Sequence, residues 1–177
     1  MALGAASPQS AFIVPVPQAE PCVGRLRDRF DPSARRGVPA HVTILYPFMP
    51  PGLIGDEVLR EVHAFSSGIR AFGFTLTRID RFPGVLYLAP DPAGPFVDLT
   101  MGLARLFPGY PPHGGRHDSV VPHLTVAQAA DDQLDAIETQ LRAAVPEEGI
   151  DAHCPEFVLI ENTSGRWRRY HSFALAA

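Results

Sequence analysis

Two apolar stretches of this chain carry the same short pattern, Val38-Pro39-Ala40-His41-Val42-Thr43-Ile44-Leu45 and Val121-Pro122-His123-Leu124-Thr125-Val126-Ala127. Their aliphatic and β-branched content predicts a strand in each case. Side chains alternate between the faces of a strand, so His41 and Thr43 share one face while Val42 and Ile44 take the other. His123 and Thr125 stand against Leu124 and Val126 in the same way. Each strand can therefore bury its aliphatic face in a core and present an imidazole beside a hydroxyl on its opposite face. A fold that brings the two polar faces together makes a site.

The rest of the chain supplies elements to carry these strands. Ala11 to Val16 predicts a first strand, and Val23, Leu26 and Phe30 mark a helix that opens near Pro21 and ends at Asp31-Pro32. Leu59, Val62, Phe65 and Ile69 predict an amphipathic helix over 56–69. Alternation at Phe72, Phe74 and Leu76, then Phe82-Pro83-Gly84 and the apolar run Val85 to Ala89, predicts a hairpin. A further helix carries Phe96, Leu99, Leu103 and Leu106 and stops at Pro108-Gly109. Residues 110–121 are rich in Gly and Pro and read as a long loop, the kind that is often functional. Asp131 or Asp132 is expected to cap a helix with the stripe Leu134, Ile137, Leu141 and Val145. Phe157 to Ile160 and Tyr170 to Leu175 read as closing strands. Short strands with Pro- or Gly-marked connections indicate an α+β fold rather than a parallel doubly wound one.

At 177 residues, 46% of them hydrophobic, the chain has enough material for one cored domain. Residues 1–10 are expected to form an N-terminal tail and 11–177 a single bilobal domain. No apolar run is long enough to span a bilayer and no signal sequence is evident, so a cytoplasmic location without membrane attachment is expected. Cys22 and Cys154 have no metal-binding or redox spacing and read as structural thiols. A net charge of −4 argues against a protein that grips extended duplex nucleic acid. A small anionic ligand is compatible with it. All fifteen basic residues are Arg, whose planar fork suits phosphate.

Two imidazoles facing one groove can divide acid–base work, since each has an ordinary pKa of about 6.5. Phosphodiester cleavage needs that division. One histidine deprotonates the attacking water or hydroxyl and the other protonates the departing ribose oxygen. Thr43 and Thr125 are then placed to donate hydrogen bonds to the non-bridging phosphate oxygens as charge builds there. Such chemistry calls for no cofactor and no metal.

The pair His41-Val42-Thr43-Ile44 and His123-Leu124-Thr125-Val126 resembles the signature of the 2H (two-histidine) phosphoesterases, which include 2′-5′ RNA ligase-like and cyclic phosphodiesterase-like proteins. Similarity extends to Phe82-Pro83-Gly84-Val85-Leu86-Tyr87-Leu88 and to a closing segment around Trp167, and so covers most of the chain from about Ala11. The resemblance implies two antiparallel β-sheets with outer helices, related by a pseudo-two-fold axis around a central groove. It further implies a metal-independent phosphodiesterase acting on 2′,3′-cyclic phosphates or 2′-5′-linked nucleotides and RNA ends. His41 and His123 would be the catalytic pair, in an order left open by the pseudo-symmetry, with Thr43 and Thr125 binding phosphate. The expected partner is a small nucleotide or RNA end, and the expected state a monomer.

Other residues near the motifs are secondary candidates. Tyr46, Phe48 and Trp167, and also Tyr87, have rings suited to stacking a base. Arg116, Arg166 and Arg168 are candidates for further phosphate contacts. Two other functions use the same residues differently. A nucleotide- or RNA-binding module would occupy the groove without turnover, and a metallohydrolase would draw on His113, His117 and Asp118. Gly114-Gly115 opposes the helix that the His113–His117 spacing would need.

Overall fold

The computed structural model describes residues 7–116 and 119–177. Eight strands form two antiparallel sheets of four, and the order within each explains why the motif strands are accessible. The first sheet runs β2-β1-β7-β8 and the second β5-β4-β3-β6. Members of the first are β1 (Ser10–Pro15), β2 (His41–Leu45), β7 (Glu156–Glu161) and β8 (Arg168–Ala174). The second comprises β3 (Phe72–Phe82), β4 (Val85–Asp91), β5 (Leu124–Gln128) and β6 (Ile150–Cys154). Each motif strand, β2 or β5, is therefore an edge strand, and the two edges approach one another.

Registers follow the alternation expected from sequence. Thr43 lies opposite Ile13 of β1, and Thr125 opposite Tyr87 of β4. Val42, Ile44, Leu124 and Val126 are all buried, while His41, Thr43, His123 and Thr125 keep partial exposure. His123 itself sits one residue ahead of β5. The hairpin β3–β4 is longer than the sequence suggests, and β6 was not evident at all. Its residues Ile150, Ala152 and Cys154 alternate with Asp151 and His153, a pattern only five residues long, and they pair with β3 from Phe72 to Leu76.

Five helices cover the sheets: α1 (Glu20–Phe30), the short α2 (Pro32–Arg35), α3 (Asp56–Ser67), α4 (Gly94–Leu106) and α5 (Asp131–Ala144). Their distribution crosses the two halves of the chain. Although α1 precedes the first motif, it packs on β5 and α5; α4, which precedes the second motif, packs on β2. One apolar core therefore runs through both sheets, from Phe12, Val42, Phe157 and Phe173 to Leu88, Val126 and Leu134. A smaller cluster, Ala11, Ile13, Val38, Val158 and Ile160 with Trp167 against it, lies on the opposite face of the first sheet. Gly102 lets α4 approach α3, because a Cβ there would lie 2.3 Å from the Phe65 ring.

Several local expectations need correction. Ser10 is the first residue of β1, and Gln9 N donates to Asn162 Oδ1, so the expected tail is tied down at its end. Asp131 does not cap α5, whose N-cap is Ala130; its Oδ1 accepts from Gly84 N at 2.9 Å and so closes the β3–β4 turn. His63 of α3 and His171 of β8 face each other with their Nε2 atoms 2.8 Å apart. No helix among the described residues is long and apolar enough to cross a membrane.

Candidate active site

The two edge strands open onto a pair of adjoining chambers. One, of about 520 Å³, is lined by Phe82, Val85, His113, Val121, His123 and others. The second, of about 310 Å³, is lined among others by Gln9, Ile13, Arg36, His41, Thr43, Tyr46 and Trp167. Thr125 and Gln128 belong to both walls. His41 and His123 thus stand in neighbouring chambers of one groove, with Thr125 at the partition.

Both histidines are held by the same device. His41 Nδ1 lies 2.8 Å from the carbonyl oxygen of Pro39, and His123 Nδ1 lies 2.7 Å from that of Val121. In each case the acceptor is two residues upstream, where the chain enters the motif. A carbonyl can only accept, so each Nδ1 carries the proton and each neutral ring keeps its lone pair on Nε2. The arrangement fixes tautomer and ring orientation together.

Electrostatics separate the two. Burial and the neighbouring Arg27 guanidinium depress His41 to about 4, despite opposing contributions from the Pro39 carbonyl and Asp31. His123 is also held below its ordinary value, by burial, while its bond to Val121 opposes the shift. Both rings are neutral near pH 7. Around His123 the rings of Phe82 and Tyr87 stack on each other at 4.4 Å, and the imidazole meets them at 5.1 and 5.3 Å. These aromatics supply much of its apolar surroundings.

Arg27 is the residue that sequence reading missed. It lies on the apolar stripe of α1, between Val23 and Phe30, and is almost completely buried. Its Nη2 donates to Asp31 Oδ2 at 2.8 Å, and its Nε donates to the carbonyl of Thr125 at 3.2 Å. Nη1 and Nη2 both reach the Val38 carbonyl at 3.3 Å. A charged residue on an apolar stripe, with a carboxylate four residues on, was the available signal. Gln9, Arg36 and Gln128 also line the groove and carry no comparable mark in the sequence.

The secondary candidates divide. Tyr46 is exposed on the chamber wall, its hydroxyl donating to Gln9 Oε1 at 3.0 Å, and its ring meets Trp167 edge-on at 6.2 Å. Both line the His41 chamber and remain available for stacking. Phe48 does not. Beyond the end of β2 it turns inward, 4% exposed, against Phe12, Phe107 and Tyr110, because the core beneath β1 has space for a large ring. Tyr87 is likewise buried against Phe82.

None of the three expected arginines lines either chamber. Arg116 is exposed at the end of the 3-10 turn Pro112–Gly115. Arg166 reaches over Gly37 to the Arg35 carbonyl, and Arg168 pairs with the buried Glu161. Arg36 occupies the wall instead. As for the metal reading, His117 and Asp118 lie outside the described residues. His113 stands in the turn with φ of 53°, so the helix that would align it with His117 does not form there. Among the described residues no group of three or more His, Cys, Asp or Glu side chains converges as metal ligands would.

Comparison with known proteins bears on fold and family. No curated protein sequence matches the chain. Among solved structures, E. coli LigT complexed with 3′-AMP superposes with a TM-score of 0.58 at 20% identity, covering 97% of this chain and 100% of that one. TT0787 of Thermus thermophilus gives 0.59 at 17% identity, covering 94% and 97%. E. coli LigT complexed with NADP+ gives 0.56 at 19%, covering 97% and 100%. At these identities the likeness concerns the fold, two antiparallel sheets with helices. The sequence profile of the 2′-5′ RNA ligase superfamily matches residues 14–166, which takes in both His-x-Thr strands and the segment up to Arg166; the chain belongs to that superfamily of two-histidine phosphoesterases.

Proposed function

We propose that the protein is a metal-independent phosphodiesterase acting on nucleoside or RNA-end 2′,3′-cyclic phosphates, or on 2′-5′ linkages, with His41 and His123 as its acid–base pair. The observation that carries this reading is the matched pair of Nδ1–carbonyl bonds, which leaves an Nε2 lone pair on each ring in adjoining chambers. E. coli LigT, similar in fold, has been solved with 3′-AMP and NADP+, and a nucleotide is the ligand proposed here.

In the proposed hydrolysis, Nε2 of one histidine takes a proton from water as the new O–P bond forms. The other histidine, protonated, gives its proton to the ribose oxygen as the P–O bond breaks. Thr43 and Thr125 donate hydrogen bonds to the non-bridging oxygens, where negative charge is greatest. His41, depressed to about 4 by burial and then by Arg27, is suited to be the acceptor, and His123, held below its ordinary value by burial, the donor. Tyr46 and Trp167 bound the His41 chamber with aromatic surface for a base, and Arg36 adds positive charge there.

The test is incubation of EDTA-treated protein with the four nucleoside 2′,3′-cyclic phosphates, beside a His41→Ala/His123→Ala double variant. Turnover that survives EDTA and is lost in the variant supports the mechanism. Whether the product is the 2′- or 3′-monophosphate names the leaving oxygen. Turnover that persists without both histidines overturns the reading; nucleotide binding without turnover, on these substrates or on 2′-5′ dinucleotides, replaces it with a binding module.

A further inference from the structure

The two motifs are near-copies, yet the groups behind them are not. Much of what distinguishes them converges on α1 and the turn that follows it. Glu20 accepts from Ala40 N at 2.6 Å, Arg27 holds the Val38 carbonyl, and the His41 ring itself holds the Pro39 carbonyl. The three residues leading into the first motif are thus clamped one after another. The same Arg27 also donates through Nε to the carbonyl of Thr125, in the second motif strand and 98 residues away in sequence. One guanidinium therefore contacts the backbone of both motifs.

Asp31 completes the arrangement. Its Oδ2 accepts from Arg27 and from Ser33 Oγ, and its Oδ1 caps α2 by accepting from Ser33 N. Both members of the pair are at most 2% exposed. A buried, fully bonded guanidinium has one orientation, because its planar fork must satisfy fixed acceptors on three sides. It is rigid and permanently charged, and its positive charge disfavours protonation of His41.

We propose that Arg27 is a positioning residue that sets the spacing between the two motif strands and makes the surroundings of their matched histidines unequal. The proposal rests on the acid–base reading of His41 and His123, but its decisive measurement needs no substrate. The charged and titratable groups around His41 include Glu20, Arg27 and Asp31 from α1 and its end, Arg36 after α2, and His123 ahead of β5. The adjoining part of β1, from Ile13 to Pro15, brings no charge. Arg27 and Asp31 act on the imidazole in opposite senses, the cation disfavouring its protonation and the carboxylate favouring it.

This opposition gives a test that a merely structural ion pair would fail. Histidine titrations would be followed by NMR in the wild type and in Arg27→Met, Arg27→Lys and Asp31→Asn, with thermal unfolding to show that each is folded. Arg27→Met is expected to move the His41 titration to higher pH, and Asp31→Asn to lower pH, with His123 moving little in either. Arg27→Lys keeps the charge but not the fork. It is expected to leave the His41 titration near that of the wild type and to lower kcat while KM changes little, since a misplacement of 1 Å costs about 10²-fold. A His41 titration that stays put in both charge variants, or moves the same way in both, overturns the proposal. If Arg27→Met does not fold, Asp31→Asn decides the sign alone: a downward shift supports the proposal and an unchanged or upward one overturns it. Opposed shifts in a protein that turns over none of the tested phosphates would leave Arg27's role intact and count against the proposed function instead.

Discussion

A hydrogen bond of 2.8 Å from His41 Nδ1 to a backbone carbonyl decides more about this groove than the imidazole's mere presence. It removes one tautomer and aims the ring, and its counterpart at His123 does the same. The expected kcat/KM profile follows from the direction of each shift. A base must be deprotonated, so activity should rise as pH climbs through the His41 value of about 4. An acid must be protonated, so activity should fall as pH climbs through the lowered His123 value. The optimum should therefore lie on the acid side of 6.5, and an optimum well above neutrality would contradict the lowering of both rings. Alanine at either histidine should reduce kcat by about 10²–10⁴-fold. Thr43→Ala and Thr125→Ala should be milder, each removing one hydrogen bond to a charged acceptor worth about 1.5–3 kcal/mol, read as a fall in kcat/KM. His41, Thr43, His123 and Thr125 were legible in the sequence because a strand's alternation puts them on one face. Arg27 was not, because its partners Val38 and Thr125 become neighbours only after α1 docks on β5.

Among the elements, helices announced themselves and strands only in part. The apolar stripes of α3, α4 and α5 repeat at helical spacing, and their boundaries fall within a few residues of those expected. The strand β6 escaped although Ile150, Ala152 and Cys154 alternate with Asp151 and His153, because a five-residue alternation is a short signal; its pairing with β3 identifies it. Phe48 escaped for a related reason, since its position relative to β2 says nothing of the space among Phe12, Phe107 and Tyr110. Gly102 offers a test of packing against propensity. Glycine inside a helix normally costs about 1 kcal/mol relative to alanine, so Gly102→Ala would stabilise an isolated α4. In the folded protein the added methyl meets the Phe65 ring. The variant should instead lose about 1–3 kcal/mol, measured by urea unfolding, as overpacked cores do.

For the molecule as a whole, the crossing of helices between sheets governs stability. With α1 on the second sheet, α4 on the first and one core running through both, neither half of the chain buries its own apolar surface. Unfolding should be a single transition in which Trp167 fluorescence and far-UV circular dichroism coincide. Separate transitions would show two independent lobes. The sequence revealed one motif per half but not this exchange, since an amphipathic stripe does not say which sheet it will meet. The superfamily match and the likeness in fold to LigT agree with this layout.

Strand order also bears on how the protein comes into being on a ribosome. All four strands of the second sheet come from the continuous stretch 72–154, whereas the first sheet joins β1 and β2 to β7 and β8, which follow all of them in the chain. Within it β1 sits between β2 and β7, so the strand bearing His41 has only half its sheet until residues 156–174 emerge. The wall containing Trp167 arrives at the same late moment. A nascent chain thus holds its second histidine on a nearly finished scaffold while the first waits, and the groove between them is completed only once residues 156–174 have joined the first sheet.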